Sequence, residues 1–105
     1  MHALVNSAGV AGHKLCEDAL WETSEREYDF VMDVNVRGLF HLLSAGLAPV
    51  YLETDAGVVH IGSMFSEQGF ENGAVYATSK HAVIGMMHSA AKETNARVRV
   101  NCVLP

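Results

Sequence analysis

Tyr76-Ala77-Thr78-Ser79-Lys80 sets a phenol and an ammonium four positions apart in an apolar, alanine-rich stretch. On an α-helix that spacing puts both heads on one face, about one turn apart. Ser63 precedes the tyrosine by thirteen residues and directly follows the run Gly57-Val58-Val59-His60-Ile61-Gly62. A hydroxyl at the end of a strand can reach the same small volume as the two helical heads. A phenol, an amine and an alcohol gathered there suit the movement of a proton on or off an alcohol oxygen.

Working outward, three short β-branched or apolar runs have the length of strands: residues 2–7, 57–63 and 98–104. Helical stretches separate them. The first begins near Thr23 or Ser24, where Ser24-Glu25-Arg26-Glu27 fits a capping box. Its apolar residues recur at Tyr28, Val31, Met32, Val34, Leu39, Phe40, Leu42, Leu43, Leu47 and Val50, with a break expected between Asn35 and Gly38 and an end or kink at Pro49. The second is expected over residues 75–94, with Ala82, Val83, Met86, Met87, Ala90 and Ala91 as its apolar face and Asn95-Ala96 as its stop. The order β-α-β-α-β predicts an α/β fold with three parallel strands.

Two successive right-handed crossovers would lay both helical layers on one side of such a sheet. The strands are apolar on both faces, and parallel sheets of that kind are normally covered on both. At about 25 cal/mol per Å² of apolar area, a few hundred Å² left bare forfeits several kcal/mol. The expectation is therefore a partial doubly wound fold, with the N-terminal half of the sheet missing, supplied by an upstream segment or replaced by tight association. Residues 1–105 read as one such partial domain.

Composition narrows the function. Half of the 105 residues are hydrophobic, which argues against disorder. The net charge of −5 with no basic run makes nucleic acid and anionic membranes poor partners. No apolar stretch approaches the roughly 20 residues of a membrane span. The first residues lack the pattern of a signal peptide. Cys16 and Cys102 read as reduced thiols, and the expected location is cytoplasmic. Six histidines, His2, His13, His41, His60, His81 and His88, show no pairing at ligand spacing, so no metal is expected.

The motifs together resemble the short-chain dehydrogenase/reductase family. Val5-Asn6-Ser7-Ala8-Gly9 is similar to its Asn-Asn-Ala-Gly motif, with Ser7 in place of the second asparagine. Asp33-Val34-Asn35-Val36 resembles the helix of its catalytic asparagine, and Val59-His60-Ile61-Gly62-Ser63 the strand ending in its catalytic serine. Tyr76 to Lys80 matches its Tyr-x-x-x-Lys. Residues 98–105, Val-Arg-Val-Asn-Cys-Val-Leu-Pro, resemble its Val-Arg-Val-Asn-x-Val-x-Pro-Gly strand. A lone Tyr-x-x-x-Lys is a frequent accident; five motifs in order are not. The family's glycine-rich phosphate loop and its substrate lid have no counterpart in these residues.

The resemblance implies a Rossmann-type domain and NAD- or NADP-dependent hydride transfer between an alcohol and a ketone or aldehyde, of the 3-oxoacyl-reductase kind or on another secondary alcohol. It implies Tyr76 as general acid/base, Lys80 beside it, Ser63 on the substrate oxygen, and Asn35 in a proton path to solvent. A free phenol titrates near about 10. One ammonium about 4 Å away, at an effective dielectric of about 20, supplies about 4 kcal/mol toward the phenolate. Asn6, Ala8, Gly9, Tyr76, Lys80 and Pro105 are expected at the cofactor. Ser63, Met64, Phe65 and Tyr76 are expected at a small-molecule substrate. Residues 66–73 are expected as a loop carrying the solvated Glu67 and Glu71. A homodimer or homotetramer through the helices at 24–52 and 75–94 is implied as well.

Taken singly, Tyr76 reads as a half-buried helix aromatic, Lys80 as a solvated charge, Ser63 as a turn residue and Asn35 as a helix-kink amide. Their joint order favours the catalytic reading. The rival reading is a truncated, non-catalytic remnant that serves only as a packing module; by itself the 105-residue piece is expected to be inactive.

Overall fold

A computed structural model describes every residue except Val50 and Ala96. The assignments of Val50 to the first helix and of Ala96 to the stop of the second therefore lie outside the described residues.

Three strands form one parallel sheet in the order β1-β2-β3. They are β1 (Ala3–Asn6), β2 (Gly57–Ile61) and β3 (Arg99–Val103). Each is shorter than its apolar run, because the flanking residues already turn toward the loops. The register aligns Leu4 with Val58 and Val100, and Asn6 with His60 and Cys102. These two rows face the helices. Val58 and His60 are buried, and Leu4, Val100 and Cys102 are partly buried against the core or its edge. The alternate row, Val5 with Val59 and Asn101, faces away. Val5 is 65% exposed and Val103 49%. The predicted one-sided cover is thus what the strands show: an apolar sheet face lies open to solvent.

The first crossover is a single long helix with a defect. α1 (Glu25–Met32) passes through a widened turn at Asp33–Arg37 into α2 (Gly38–Gly46). In that turn the Gly38 N–H reaches back five residues to the Asp33 carbonyl, the signature of a π-bulge. The break expected between Asn35 and Gly38 is this bulge rather than an interruption. The helix ends at Gly46, three residues before Pro49. Gly46 allows a close approach: a Cβ there would stand 2.7 Å from Leu4 Cδ2, and the leucine would have to shift. Val31, Leu39 and Leu43 are buried, whereas Tyr28 and Phe40 point outward.

The capping box at the start of α1 is half formed. Ser24 Oγ accepts the Glu27 N–H at 3.1 Å. The Glu27 carboxylate does not return to Ser24; it accepts from the His13 backbone N–H and bonds His13 Nδ1 at 3.1 Å. The loop after β1 competes successfully for that carboxylate, because two partners hold it there instead of one.

The second crossover is α3 (Ala74–Glu93), one residue earlier than expected at each end. Asn95 follows in the left-handed region at φ 50°, a common way to close a helix. Val83, Met87 and Ala90 enter the core with Leu39, Leu43, Leu52, Ala56, Val58 and Val98, while Met86 is only partly buried. Among the described residues no helix is long and apolar enough to cross a membrane.

Candidate active site

The carboxyl ends of β1 and β2 lie beneath the N-terminal half of α3, and the residues singled out by sequence gather there. Helical spacing puts Tyr76 and Lys80 side by side: the Lys80 Nζ stands 5.6 Å from the centre of the Tyr76 ring. Lys80 is buried to 5% exposure, and no carboxylate among the described residues lies within salt-bridge distance of it. Burial pushes its ammonium below the ordinary lysine value, an effect that Cys102 partly opposes.

Asn35 reaches the same place from the π-bulge. Widening that turn points its carboxamide inward, where it is 2% exposed. Its Oδ1 accepts the Val10 N–H at 2.7 Å, and its Nδ2 donates to the Val10 carbonyl at 2.8 Å and to Ser79 Oγ at 3.0 Å. Ser79 in turn donates to the Tyr76 carbonyl at 2.7 Å. One buried amide therefore ties the loop after β1 to the turn of α3 that carries the tyrosine and lysine.

Gly9 sits within that junction. A Cβ on Gly9 would stand 3.2 Å from Lys80 Nζ and 3.3 Å from Asn35 Oδ1. The lysine and asparagine heads both border the space over this glycine. Asn6, three residues earlier, is fixed by an Asx-type turn: its Oδ1 accepts the Ala8 N–H at 3.1 Å. Its Nδ2 meets His60 Nδ1, also at 3.1 Å.

Ser63 caps a short 3-10 turn, Met64–Ser66. Its Oγ accepts the Phe65 N–H at 3.2 Å, and its own N–H donates to Ser66 Oγ at 3.2 Å. The Met64 N–H donates to the Pro105 carbonyl at 3.1 Å, so Pro105 lies at the same sheet edge as Ser63. Among the described residues no hydrogen bond joins Ser63 to Tyr76 or Lys80. The link is made two residues further on: the Phe65 ring meets Tyr76 edge-on, with centroids 5.2 Å apart. Phe65 also stacks on Phe70 at 3.4 Å. Met64 is half exposed at 50%. Glu67 and Glu71 are exposed, as expected of a solvated loop.

Three participants carry no role in the motif reading. Phe70 lies in the segment expected only as a loop. Cys102 faces the helices opposite His60, and burial pushes its thiol above the ordinary value while the Gly62 N–H and Lys80 pull the other way. His60 is 1% exposed, and burial first, then the Lys80 charge, holds its imidazole below the ordinary value. A polar side chain at an inward position of an otherwise apolar strand is the signal that marks it.

The family described as enoyl-(acyl carrier protein) reductase has a model that matches residues 1–105. The chain belongs to the short-chain dehydrogenase/reductase family. It is 34% identical over 105 residues to the 1,2-dihydroxy-1,2-dihydronaphthalene dehydrogenase of Pseudomonas putida, covering 100% of this chain and 40% of that enzyme. It is 37% identical over 106 residues to the uncharacterized oxidoreductase YciK of Escherichia coli, with coverage of 100% and 40%. A solved short chain dehydrogenase from Shigella flexneri superposes with a TM-score of 0.88 at 32% identity, over 100% of this chain and 40% of that one. A structure from Escherichia coli CFT073 complexed with NADPH also gives 0.88, at 33% identity, over 100% and 42%. This short-chain dehydrogenase/reductase chain therefore spans about 40% of the length of the curated relatives it matches. The Rossmann-type reading of its three parallel strands follows from the same likeness.

Proposed function

We propose that these residues form the proton-transfer core of an NAD- or NADP-dependent oxidoreductase acting on an alcohol/carbonyl pair. The observation that carries the reading is the junction of Tyr76, Lys80, Asn35 and Gly9 at one edge of the sheet. Tyr76 gives or takes the proton of the substrate oxygen. The adjoining Lys80 keeps its amine beside the phenol ring, 5.6 Å from the ring centre. Ser63 holds the substrate oxygen by its hydroxyl, exchanging its present bond to the Phe65 N–H for one to substrate. Asn35 keeps the tyrosine-bearing turn in place and borders the space next to Lys80, from which a proton leaves to solvent. Met64 and Phe65 line the substrate side.

The residues fit a nicotinamide nucleotide. The space above Gly9, which a Cβ would fill, adjoins the Lys80 amine. Asn6, Ala8 and Gly9 would border the nucleotide largely through backbone, Lys80 and Tyr76 would meet its ribose hydroxyls, and Pro105 would lie near the nicotinamide. When bound, the nucleotide supplies or accepts the hydride. The same reading places the protein in the cytoplasm. It makes it a homodimer or homotetramer, supported by an open groove of about 530 Å³ that α2 and α3 form around Phe40, Leu43, Leu47, Met86 and Ala90.

The test is nucleotide-dependent turnover of secondary alcohols and ketones by a full-length version that carries these residues, with Tyr76→Phe beside its parent. Loss of at least about a hundredfold in rate is expected for an acid/base role; equal rates refute it. Titration with NAD(H) and NADP(H) separates the rival. If neither nucleotide raises the melting temperature, the chain is a packing module, and the open sheet face with Val5 and Val103 is what it packs.

A further inference from the structure

We propose that His60 is a positioning residue for the nucleotide side of the site: from β2, its Nδ1 accepts a hydrogen bond from Asn6 and thereby fixes the exposed turn at residues 7–9. The proposal rests on the reading above that this turn borders a nicotinamide nucleotide, and its test separates the two.

Residues 7–9 are exposed, and none belongs to the hydrophobic core. Among the described residues they make a single hydrogen bond, from the Ala8 N–H to Asn6 Oδ1 at 3.1 Å. The turn is therefore held from its two ends. At Val10, Asn35 takes both the N–H and the carbonyl, at 2.7 and 2.8 Å. At Asn6, one end of the carboxamide takes Ala8 and the other, Nδ2, meets His60 Nδ1 at 3.1 Å. A turn fixed before a ligand arrives spares the ordering cost on binding.

The direction of these bonds assigns the role of His60. The Ala8 N–H can only donate, so the Asn6 atom that it meets is the carboxamide oxygen, and Nδ2 is the atom left for the histidine. An amide nitrogen donates and does not accept, so His60 Nδ1 is the acceptor. That requires a neutral imidazole with its hydrogen on Nε2. Burial, which penalises the charged ring, keeps it neutral. A flipped carboxamide would set acceptor against acceptor at His60 and donor against donor at Ala8, so the pair admits one orientation. Nε2 has no partner among the described residues, and the bond to Asn6 is the polar contact through which the buried ring acts. An apolar side chain could fill the same space, but it would leave Asn6 free to turn its carboxamide away from Ala8.

The test is the dissociation constant for NAD(H) and NADP(H) of a full-length version that carries these residues, measured beside amide hydrogen exchange at Ala8. His60→Leu removes the acceptor and should weaken binding on the order of tenfold, as expected for ordering one freed backbone residue. The KM for the nucleotide should rise while kcat holds, and Ala8 should exchange faster in the absence of nucleotide. His60→Asn, whose side-chain carbonyl can accept from Asn6 Nδ2, should restore most of both. If His60→Leu binds nucleotide as the parent does, or binds it more weakly with Ala8 exchange unchanged, the proposal is overturned while the reading of the site stands. It is overturned equally if His60→Asn does no better than His60→Leu, because volume rather than an acceptor would then be what matters. A parent that binds neither nucleotide refutes the reading on which the proposal rests, whatever Ala8 does. Should His60→Leu fail to fold, the tautomer of the parent decides. Two-bond proton–nitrogen correlation spectra must show His60 as Nε2–H; an Nδ1–H ring cannot accept from Asn6 and overturns the proposal.

Discussion

Gly9 and Lys80 are in near contact across two elements, so that a single added methyl on the glycine would stand 3.2 Å from the amine. Gly9 is not among the glycines held at positive φ, so alanine meets no backbone penalty there. One neighbouring atom is the far end of the flexible Lys80 side chain, which can yield; the other, Asn35 Oδ1 at 3.3 Å, is held by the Val10 N–H and must give by a few tenths of an ångström. Gly9→Ala is therefore expected to cost about 1 kcal/mol in urea unfolding. It should nonetheless abolish most of the thermal stabilisation by NAD(H) or NADP(H), because it fills the space beside Lys80. Unchanged stabilisation would remove Gly9 from the cofactor site.

Asn35 is the opposite case, a residue whose loss is felt in folding first. Asn35→Ala leaves the Val10 N–H and carbonyl without their partners and frees Ser79. Each orphaned buried group costs about 1–3 kcal/mol. A drop of about 2–4 kcal/mol in denaturant unfolding is expected, together with increased hydrogen exchange at Val10. If stability stays within about 0.5 kcal/mol of the parent, the amide is not what ties the loop to α3.

The fold and much of the site were legible in the sequence because period and order carry them. The β-branched runs announce the strands and four-residue spacing puts Tyr76 beside Lys80, but which strand residues face inward was not legible, because the strands are apolar on both faces. The π-bulge is harder to read: a helical pattern slips by one residue there, and Asn35 shows as a break although the chain stays helical. Glu27 was legible as a capping residue but not as the anchor of His13, fourteen residues away, because a competing long-range partner leaves no local trace. The Phe65–Phe70 stack and the Asn6–His60 bond are tertiary pairings between loops or strands, and spacing says nothing of them.

Phe65 is expected to matter through Tyr76. Its ring edge packs against the phenol ring, and such a pair contributes about 0.5–1.5 kcal/mol beyond its buried area. Phe65→Leu should keep most of the apolar volume while releasing the ring of Tyr76. The check is the aromatic NMR line width of Tyr76 and the melting temperature. A Tyr76 ring that stays as immobile as in the parent would show that Phe70 and α3 suffice.

His60 gives the chain an acid-sensitive stability of definite sign. Burial and the charge of Lys80 hold its folded value below the ordinary 6.5. As pH falls through 6.5, the unfolded chain takes up a proton at this position and the folded chain does not. Protonation then favours unfolding, and stability declines from 6.5 downward until the folded imidazole also protonates. For one proton the slope cannot exceed about 1.4 kcal/mol per pH unit. Other groups also titrate there, so the parent is compared with His60→Asn, which keeps a polar side chain and removes the titration. The expected result is a difference in unfolding free energy that is constant above neutral pH and shrinks toward acid, as the parent loses what the variant never had. Parallel curves from pH 7.5 to 5 would mean that the imidazole is protonated as easily inside the protein as outside it. That would require an acceptor beside Nε2 strong enough to hold a second cation next to Lys80.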